Sequence, residues 1–476
     1  MNKSLFVLLS SLFFILESCE TNKSFEPQLS EDILINQLGY PTNVEKQALI
    51  KAEAKTFTVR DTSGVVVFEG NTTNRRYWDL SGDTVSVADF SAVNQPGTYR
   101  LCIDNDCSHP FEVGNDLYQD LADASLKSYY YARCSYEIEE AFGRQWSRKS
   151  GHPDTAVFVH SSAADDTRPE GTILSSPGGW YDAGDYGKYI VNSSITTWTI
   201  LQSLVFNERY LNQQKLNIPE SGNDLPDVLD EALVNLRWMM TMQDPNDGGV
   251  YHKLTTKDFD GFIMPETTVD PRLVIQKSTS ATLDYAATIA SAARIVGSYG
   301  LSDLSAKMQS SSLAAWEWAL DNPEEYYIQP EDITTGAYPD SVYADEWFWA
   351  ASELYLLTGD EAFKSVLLEN YQKPITPKWD LVHTLGMISL ITSDKKSEFE
   401  SMSSDFLAYA DEMLDKESTS PYLISMNEFA WGSNSDVAND GMLKLVAYHL
   451  AEDVKYIASA RNDLHYILGR NTTGYS

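Results

Sequence analysis

The feature that most limits what this chain can fold into is a change of hydrophobic period at Gly114. From Ile33 to Val113 the sequence reads in period two, in runs such as Phe57-Thr58-Val59-Arg60, Val65-Val66-Val67-Phe68, Val85-Ser86-Val87-Ala88 and Tyr99-Arg100-Leu101-Cys102-Ile103. Clusters of Gly, Asn, Asp and Pro separate the runs. Short strands punctuated by turn signals predict an all-β, immunoglobulin-like sandwich over residues 32–113. No group of titratable residues lies there beside apolar walls, so this domain is expected to be structural and to pack on the rest of the chain. After Gly114 the period becomes helical. Asn115-Asp116 can cap a helix that reaches Phe142. Ten more helical stretches follow, at Ile190–Val205, Leu225–Met242, Ser280–Val296, Ser305–Leu320, Ala344–Leu357, Glu361–Tyr371, Leu385–Ile391, Glu398–Leu414, Val437–Leu450 and Val454–Leu468. Gly/Pro/Asp loops join them, with no β period in between. Helices in sequential hairpins fit an all-α (α/α)6 barrel over residues 115–476, in which the loops at one end build a cleft.

Charge excludes one class of partner. Sixty-nine Asp and Glu against 35 Lys and Arg give a formal net charge of -34. Such a field repels phosphate backbones, so no nucleic-acid partner is expected, whereas neutral sugars are not repelled. The N-terminus adds a compartment. Lys3, the apolar run Leu5 to Leu16 and then Glu17-Ser18-Cys19 describe an export signal too short to span a bilayer. Leu16 and Ser18 ahead of Cys19 are similar to a bacterial lipobox. Residues 1–19 are therefore expected to be a lipoprotein-type signal peptide and Cys19 the acylated residue; cleavage by an ordinary signal peptidase is the alternative. Residues 20–31 read as a tether, and no later segment reads as transmembrane. The expectation is an exported, monomeric cell-envelope lipoprotein, periplasmic or at the cell surface, that touches a membrane only through Cys19. Export permits disulfides. Cys102 and Cys107 flank a turn sequence and can be bridged, while Cys134 reads as a buried thiol. The seven histidines show no metal-ligand spacing, and no metal site is assigned.

Chemistry concentrates in Gly178-Gly179-Trp180-Tyr181-Asp182-Ala183-Gly184-Asp185-Tyr186-Gly187-Lys188-Tyr189. Asp182 and Asp185 sit three apart in a glycine-punctuated loop that leads into a helix. Two carboxylates at this spacing can converge on one water, Asp185 taking its proton and Asp182 orienting it. Trp180, Tyr181 and Tyr186 offer flat faces to a pyranose ring, and His152 lies in the loop just before. Two other readings stand beside this one: carboxylates that merely cap the following helix, and a metal site that would need further oxygen ligands.

The segment resembles the catalytic-base signature of glycoside hydrolase family 9, the cellulase family built on an (α/α)6 barrel. The resemblance extends over nearly everything after Asp32. Ile35-Asn36-Gln37-Leu38-Gly39-Tyr40-Pro41 is similar to the opening strand of the immunoglobulin-like domain that precedes many of these barrels. Asp224-Leu225-Pro226-Asp227 with Asp247-Gly248-Gly249-Val250-Tyr251-His252-Lys253, Lys277-Ser278-Thr279-Ser280-Ala281, Asp345-Glu346-Trp347, Trp431-Gly432-Ser433-Asn434 and Leu468-Gly469-Arg470-Asn471 resemble later family motifs. The resemblance implies inverting hydrolysis of β-1,4 bonds in cellulose, mixed-linkage glucan or xyloglucan. It makes Asp185 the general base and Asp182 its assistant. Trp431, read on its own, is either a sugar-stacking face or a core tryptophan. It implies no required cofactor and leaves room for a structural calcium, for which no complete ligand set is matched. An exo-acting hydrolase of cello- or chito-oligosaccharides and a non-catalytic glycan-binding lipoprotein are the alternatives. Inversion requires a separate general acid. In the family it lies in an Asn-Glu motif beyond a His-His-Arg segment, past the position of Ser476. The chain is thus expected to be a C-terminally truncated copy of a longer enzyme, or one that has lost activity. Glu428, after Asn427, reads as a local look-alike of the acid.

Overall fold

The computed structural model describes residues 25–476. The signal-peptide reading and Cys19 lie outside the described residues. Ten strands form the N-terminal sandwich: β1 (Gln28–Leu29), β2 (Ile33–Leu34), β3 (Gly39–Tyr40), β4 (Gln47–Ile50), β5 (Thr56–Asp61), β6 (Val66–Trp78), β7 (Asp83–Asp89), β8 (Gly97–Ile103), β9 (Asp106–Cys107) and β10 (Phe111–Val113). The neighbour order is β1-β9-β8-β5-β6-β7-β4-β2, with β10 joining β8 to β3. β6 belongs to both layers. Its first half pairs with β5, and from Thr72 onward it pairs with β7 across a register shift between Thr73 and Arg76. Alternate residues such as Phe57, Val59, Tyr99 and Leu101 close the core. The tether expected over 20–31 ends earlier than the sequence suggests. Gln28–Leu29 pairs in parallel with Asp106–Cys107, because their backbone groups meet the free edge of β9. Cys102 and Cys107 are bridged and Cys134 is a buried free thiol, as expected.

The second domain is helical: α1 (Gln119–Ala132), α2 (Glu140–Gly143), α3 (Ile190–Phe206), α4 (Glu208–Leu211), α5 (Asp227–Thr241), α6 (Thr279–Ser298), α7 (Ser302–Asp321), α8 (Ala344–Thr358), α9 (Glu361–Glu369), α10 (His383–Thr392), α11 (Glu400–Thr419), α12 (Asn434–Ala451) and α13 (Val454–Ile467). Eleven of these match the expected stretches, and the first stops at Ala132 instead of running to Phe142. There the chain breaks at Arg133, whose guanidinium is buried between Glu231 and Glu220, at 2.8 and 3.0 Å. α6 packs on α3, α7 and α8, and α8 packs on α10. The alanine-rich, almost wholly buried face of α6 permits this close approach.

One element contradicts the expectation of helices without strands. A five-stranded sheet lies inside the helical domain: β11 (Val157–Val159), β12 (Ile173–Leu174), β13 (Lys188–Tyr189), β14 (Tyr251–Thr255) and β15 (Leu273–Lys277), in the order β12-β11-β15-β14-β13. All five residues of β14 are buried, so no alternation marks it in the sequence. The two domains meet through Leu34, Leu49, Trp78, Val85 and Val87, packed on Tyr422, Ile424, Val437 and Tyr466. Ile35–Pro41 supplies the polar part of this junction. Asn36 Nδ2 lies 2.9 Å from His465 Nδ1, and the Gln37 amide donates to the Leu468 carbonyl at 2.9 Å.

Candidate active site

The Gly178–Tyr189 loop crosses the N-terminal end of α3, and its glycines are used unequally. Gly179 is left-handed (φ +79°), and a Cβ there would stand 2.7 Å from the Trp238 ring; one at Gly187 would meet the Tyr189 ring at 2.7 Å. Gly184 faces open space and has no such requirement. Tyr186 is itself left-handed at φ +53°, held there by its hydroxyl, which donates to the Ile263 carbonyl, and by the Asp182 amide, which donates to Gly187 O at 2.9 Å.

The two carboxylates lie on one loop with separate partners. Asp182 is open to solvent; it accepts from Asn192 Nδ2 at 3.0 Å and from the Tyr338 hydroxyl at 2.8 Å. Partial desolvation of its carboxyl raises its pKa and the neighbouring charge of Asp185 adds to the rise, while the hydrogen bonds from Asn192 and Tyr338 oppose it. Asp185 is only 2% exposed; it accepts from the Gly187 amide at 2.9 Å and from the Tyr189 hydroxyl. Neither carboxylate accepts from a backbone amide at the start of α3, which disfavours the helix-capping reading.

Beneath the loop runs a buried ion cluster. Lys188 is fully enclosed. Its ammonium donates to the Ser176 and Gly178 carbonyls at 3.1 and 2.8 Å and pairs with Asp154 at 2.8 Å. Asp154 also pairs with Arg272 at 3.1 Å. His152 stands beside this cluster, with Nδ1 2.9 Å from the Tyr181 hydroxyl and Nε2 2.5 Å from Thr268 Oγ1. Burial, reinforced by the charge of Arg272, lowers its pKa to about 4, so the ring is neutral at physiological pH. His152, Tyr181 and Tyr186 form one aromatic wall, with centroids 5.0 to 5.5 Å apart.

Two of the expected sugar contacts sit elsewhere. Trp180 is a core residue, 5% exposed, packed on Tyr129 with its indole N–H donating to Glu231 at 2.9 Å; the correction follows from Glu231 pulling the ring inward. Trp431 is 96% exposed in the loop that leads into α12 and makes no ring–ring contact among the described residues. Sequence reasoning missed Tyr338 and Trp379. Tyr338 holds Asp182 and packs edge-on against Tyr189 at 4.8 Å and Trp379 at 5.3 Å, which brings the loops before α8 and α10 to the carboxylate pair. Neither carries a local signal, because each becomes relevant only through folding.

A cation has one acidic cluster to consider among the described residues, Asp165, Asp244 and Asp247. The Lys277 ammonium already bonds all three, at 3.2, 2.9 and 2.7 Å. The set is satisfied by an internal cation and does not fit a calcium as it stands.

Known proteins resemble this chain over both of its domains. A family model described as glycosyl hydrolase family 9 matches residues 118–476, and one described as the cellulase N-terminal ig-like domain matches residues 28–108. A xyloglucan-specific endo-β-1,4-glucanase of Bacteroides ovatus is 39% identical over 497 residues, covering 99% of this chain and 83% of its own. Endoglucanase D of Acetivibrio thermocellus is 31% identical, with 93% and 72% covered. Among solved structures, a Bacteroides ovatus family 9 protein superposes with a TM-score of 0.87 at 38% identity, over 94% of this chain and 86% of that one.

Proposed function

Because the chain belongs to glycosyl hydrolase family 9, we propose that it cleaves internal β-1,4-glucosidic bonds with inversion at the anomeric carbon, Asp185 acting as general base and Asp182 assisting. The observation that carries this reading is the pair of carboxylates on one loop, each with its own tyrosine donor. A water held between them loses its proton to the pair as it attacks, while a separate carboxyl across the cleft protonates the departing oxygen. Tyr181, Tyr186 and His152 form the wall along which the sugar lies. Trp431 offers a further face to a long polymer. The helices are read as hairpins of an (α/α)6 barrel with the site at its mouth. Xyloglucan is the first polymer to test, in view of the specificity of the Bacteroides ovatus relative.

The decisive experiment uses 2,4-dinitrophenyl β-cellobioside, whose leaving group departs without protonation, so that hydrolysis reports the base alone. Asp185→Ala should lower kcat by about a hundredfold or more. Activity within a few-fold of the unmodified chain would remove Asp185 from the role.

A further inference from the structure

Lys253 is fully buried, and among the described residues no carboxylate lies within ion-pair distance of its ammonium. In a chain of net charge -34, an enclosed ammonium without a direct counter-ion costs stability unless its surroundings use it. Its bonds are all to neutral oxygens: Gly336 O at 2.6 Å, Gln329 Oε1 at 3.1 Å and Thr335 Oγ1 at 3.3 Å.

Those bonds place the lysine under both arms of the carboxylate pair. Lys253 on β14 is the register partner of Tyr189 on β13. Its ammonium stands 5.6 Å from the centre of the Tyr189 ring, whose hydroxyl donates to Asp185. Through Gly336 it also fixes the segment that carries Tyr338, whose hydroxyl donates to Asp182. That segment is tightly fitted: a Cβ on Gly336 would meet Tyr338 at 2.8 Å and the Tyr189 hydroxyl at 3.2 Å. The other titratable groups around it are Tyr327, whose ring centre is 5.7 Å away, and His252, stacked on Tyr327 and neutral. The charged group that faces Lys253 is therefore Asp185, one of the two proposed catalytic carboxylates.

We propose that Lys253 is the positioning residue of the Asp182/Asp185 pair, its ammonium holding both tyrosine donors in register and setting a positive charge beside Asp185. The proposal rests on the reading of those carboxylates as the water-activating base. Burial lowers the Lys253 pKa to about 8, opposed by the charge of Asp185, so the support it gives fades in mildly alkaline solution.

The test compares Lys253→Met, Lys253→Gln and Lys253→Arg with the unmodified chain on 2,4-dinitrophenyl β-cellobioside across pH, each variant first checked by thermal unfolding. Loss of the charge should lower kcat by roughly tenfold, with KM little changed, and move the acidic limb of kcat/KM upward by about one pH unit. Lys253→Arg should return the limb most of the way. If Lys253→Met does not fold, Lys253→Gln, which keeps a donor for Gly336 but no charge, is read by the same limb. A folded, uncharged variant whose limb does not move overturns the proposal and leaves a structural lysine. Asp185→Ala in the same assay separates the two claims: if it is inactive while the lysine variants are unmoved, only the role of Lys253 falls. If Asp185→Ala is active, the base assignment falls and the lysine proposal with it.

Discussion

Replacing Asp154 by asparagine should be among the most damaging isosteric changes available in this protein. The Asp154 carboxylate is enclosed and pairs with Lys188 and Arg272 at 2.8 and 3.1 Å. Burial alone would raise its pKa; the charges of Lys188 and Arg272 more than reverse that and hold it at about 2. Against an unfolded value of about 4, this corresponds to about 2–3 kcal/mol of stability at neutral pH. The sign follows from the depressed value: the contribution is fully present above about pH 4 and is lost as pH falls toward 2. Asparagine removes that contribution and strands two buried cations. Both Nη atoms of Arg272 are already without a partner among the described residues, so the guanidinium would keep none of its present pairing. The total cost should approach the 3–5 kcal/mol typical of a broken buried pair, roughly. Urea unfolding followed by tryptophan fluorescence at pH 7 measures it, and repeating the unfolding between pH 5 and pH 2.5 should show a flatter acid dependence in the variant. A loss below about 1 kcal/mol with an unchanged acid slope would refute the electrostatic account of this cluster.

Two further outcomes are expected. Proton NMR of early products from a soluble β-glucan should show α-configured reducing ends first; β-anomers appearing first would exclude inversion. Trp78→Ala removes a ring that packs on Tyr422 at 4.5 Å and Phe429 at 5.6 Å, so calorimetry should lose about 3–5 kcal/mol and resolve separate sandwich and helical transitions. One cooperative transition at an unchanged temperature would show that the junction does not couple the domains.

The large divisions of this fold are legible in the sequence because period is a local property. The switch at Gly114, the eleven long helices and the Cys102–Cys107 bridge all follow from residues near one another in the chain. The Asp182/Asp185 pair is legible for the same reason. The supports of the site are not: Asp154, Lys188 and Arg272 are spread over more than a hundred positions, and nothing near any one of them announces the others. β14 is hidden because both its faces are buried, which erases the alternation that marks a half-exposed strand. Trp180 misleads because an indole beside the Asp182/Asp185 loop can face either way, and Glu231, fifty-one positions onward, decides the direction. Tyr338 and Trp379 join the site only because the loops before α8 and α10 are brought to the same end as the loop before α3.

The junction has a consequence for biosynthesis. Leu34, Leu49, Trp78, Val85 and Val87 are made early, but their partners Tyr422, Ile424, Val437 and Tyr466 emerge hundreds of residues later. At translation rates of about 5–20 residues per second, the sandwich shows an uncovered apolar flank for roughly 20–80 s. The Asn36–His465 contact, spanning 429 positions, can form only after that interval. Until then the nascent chain carries a sticky face, which makes the early domain a natural client for a ribosome-associated chaperone.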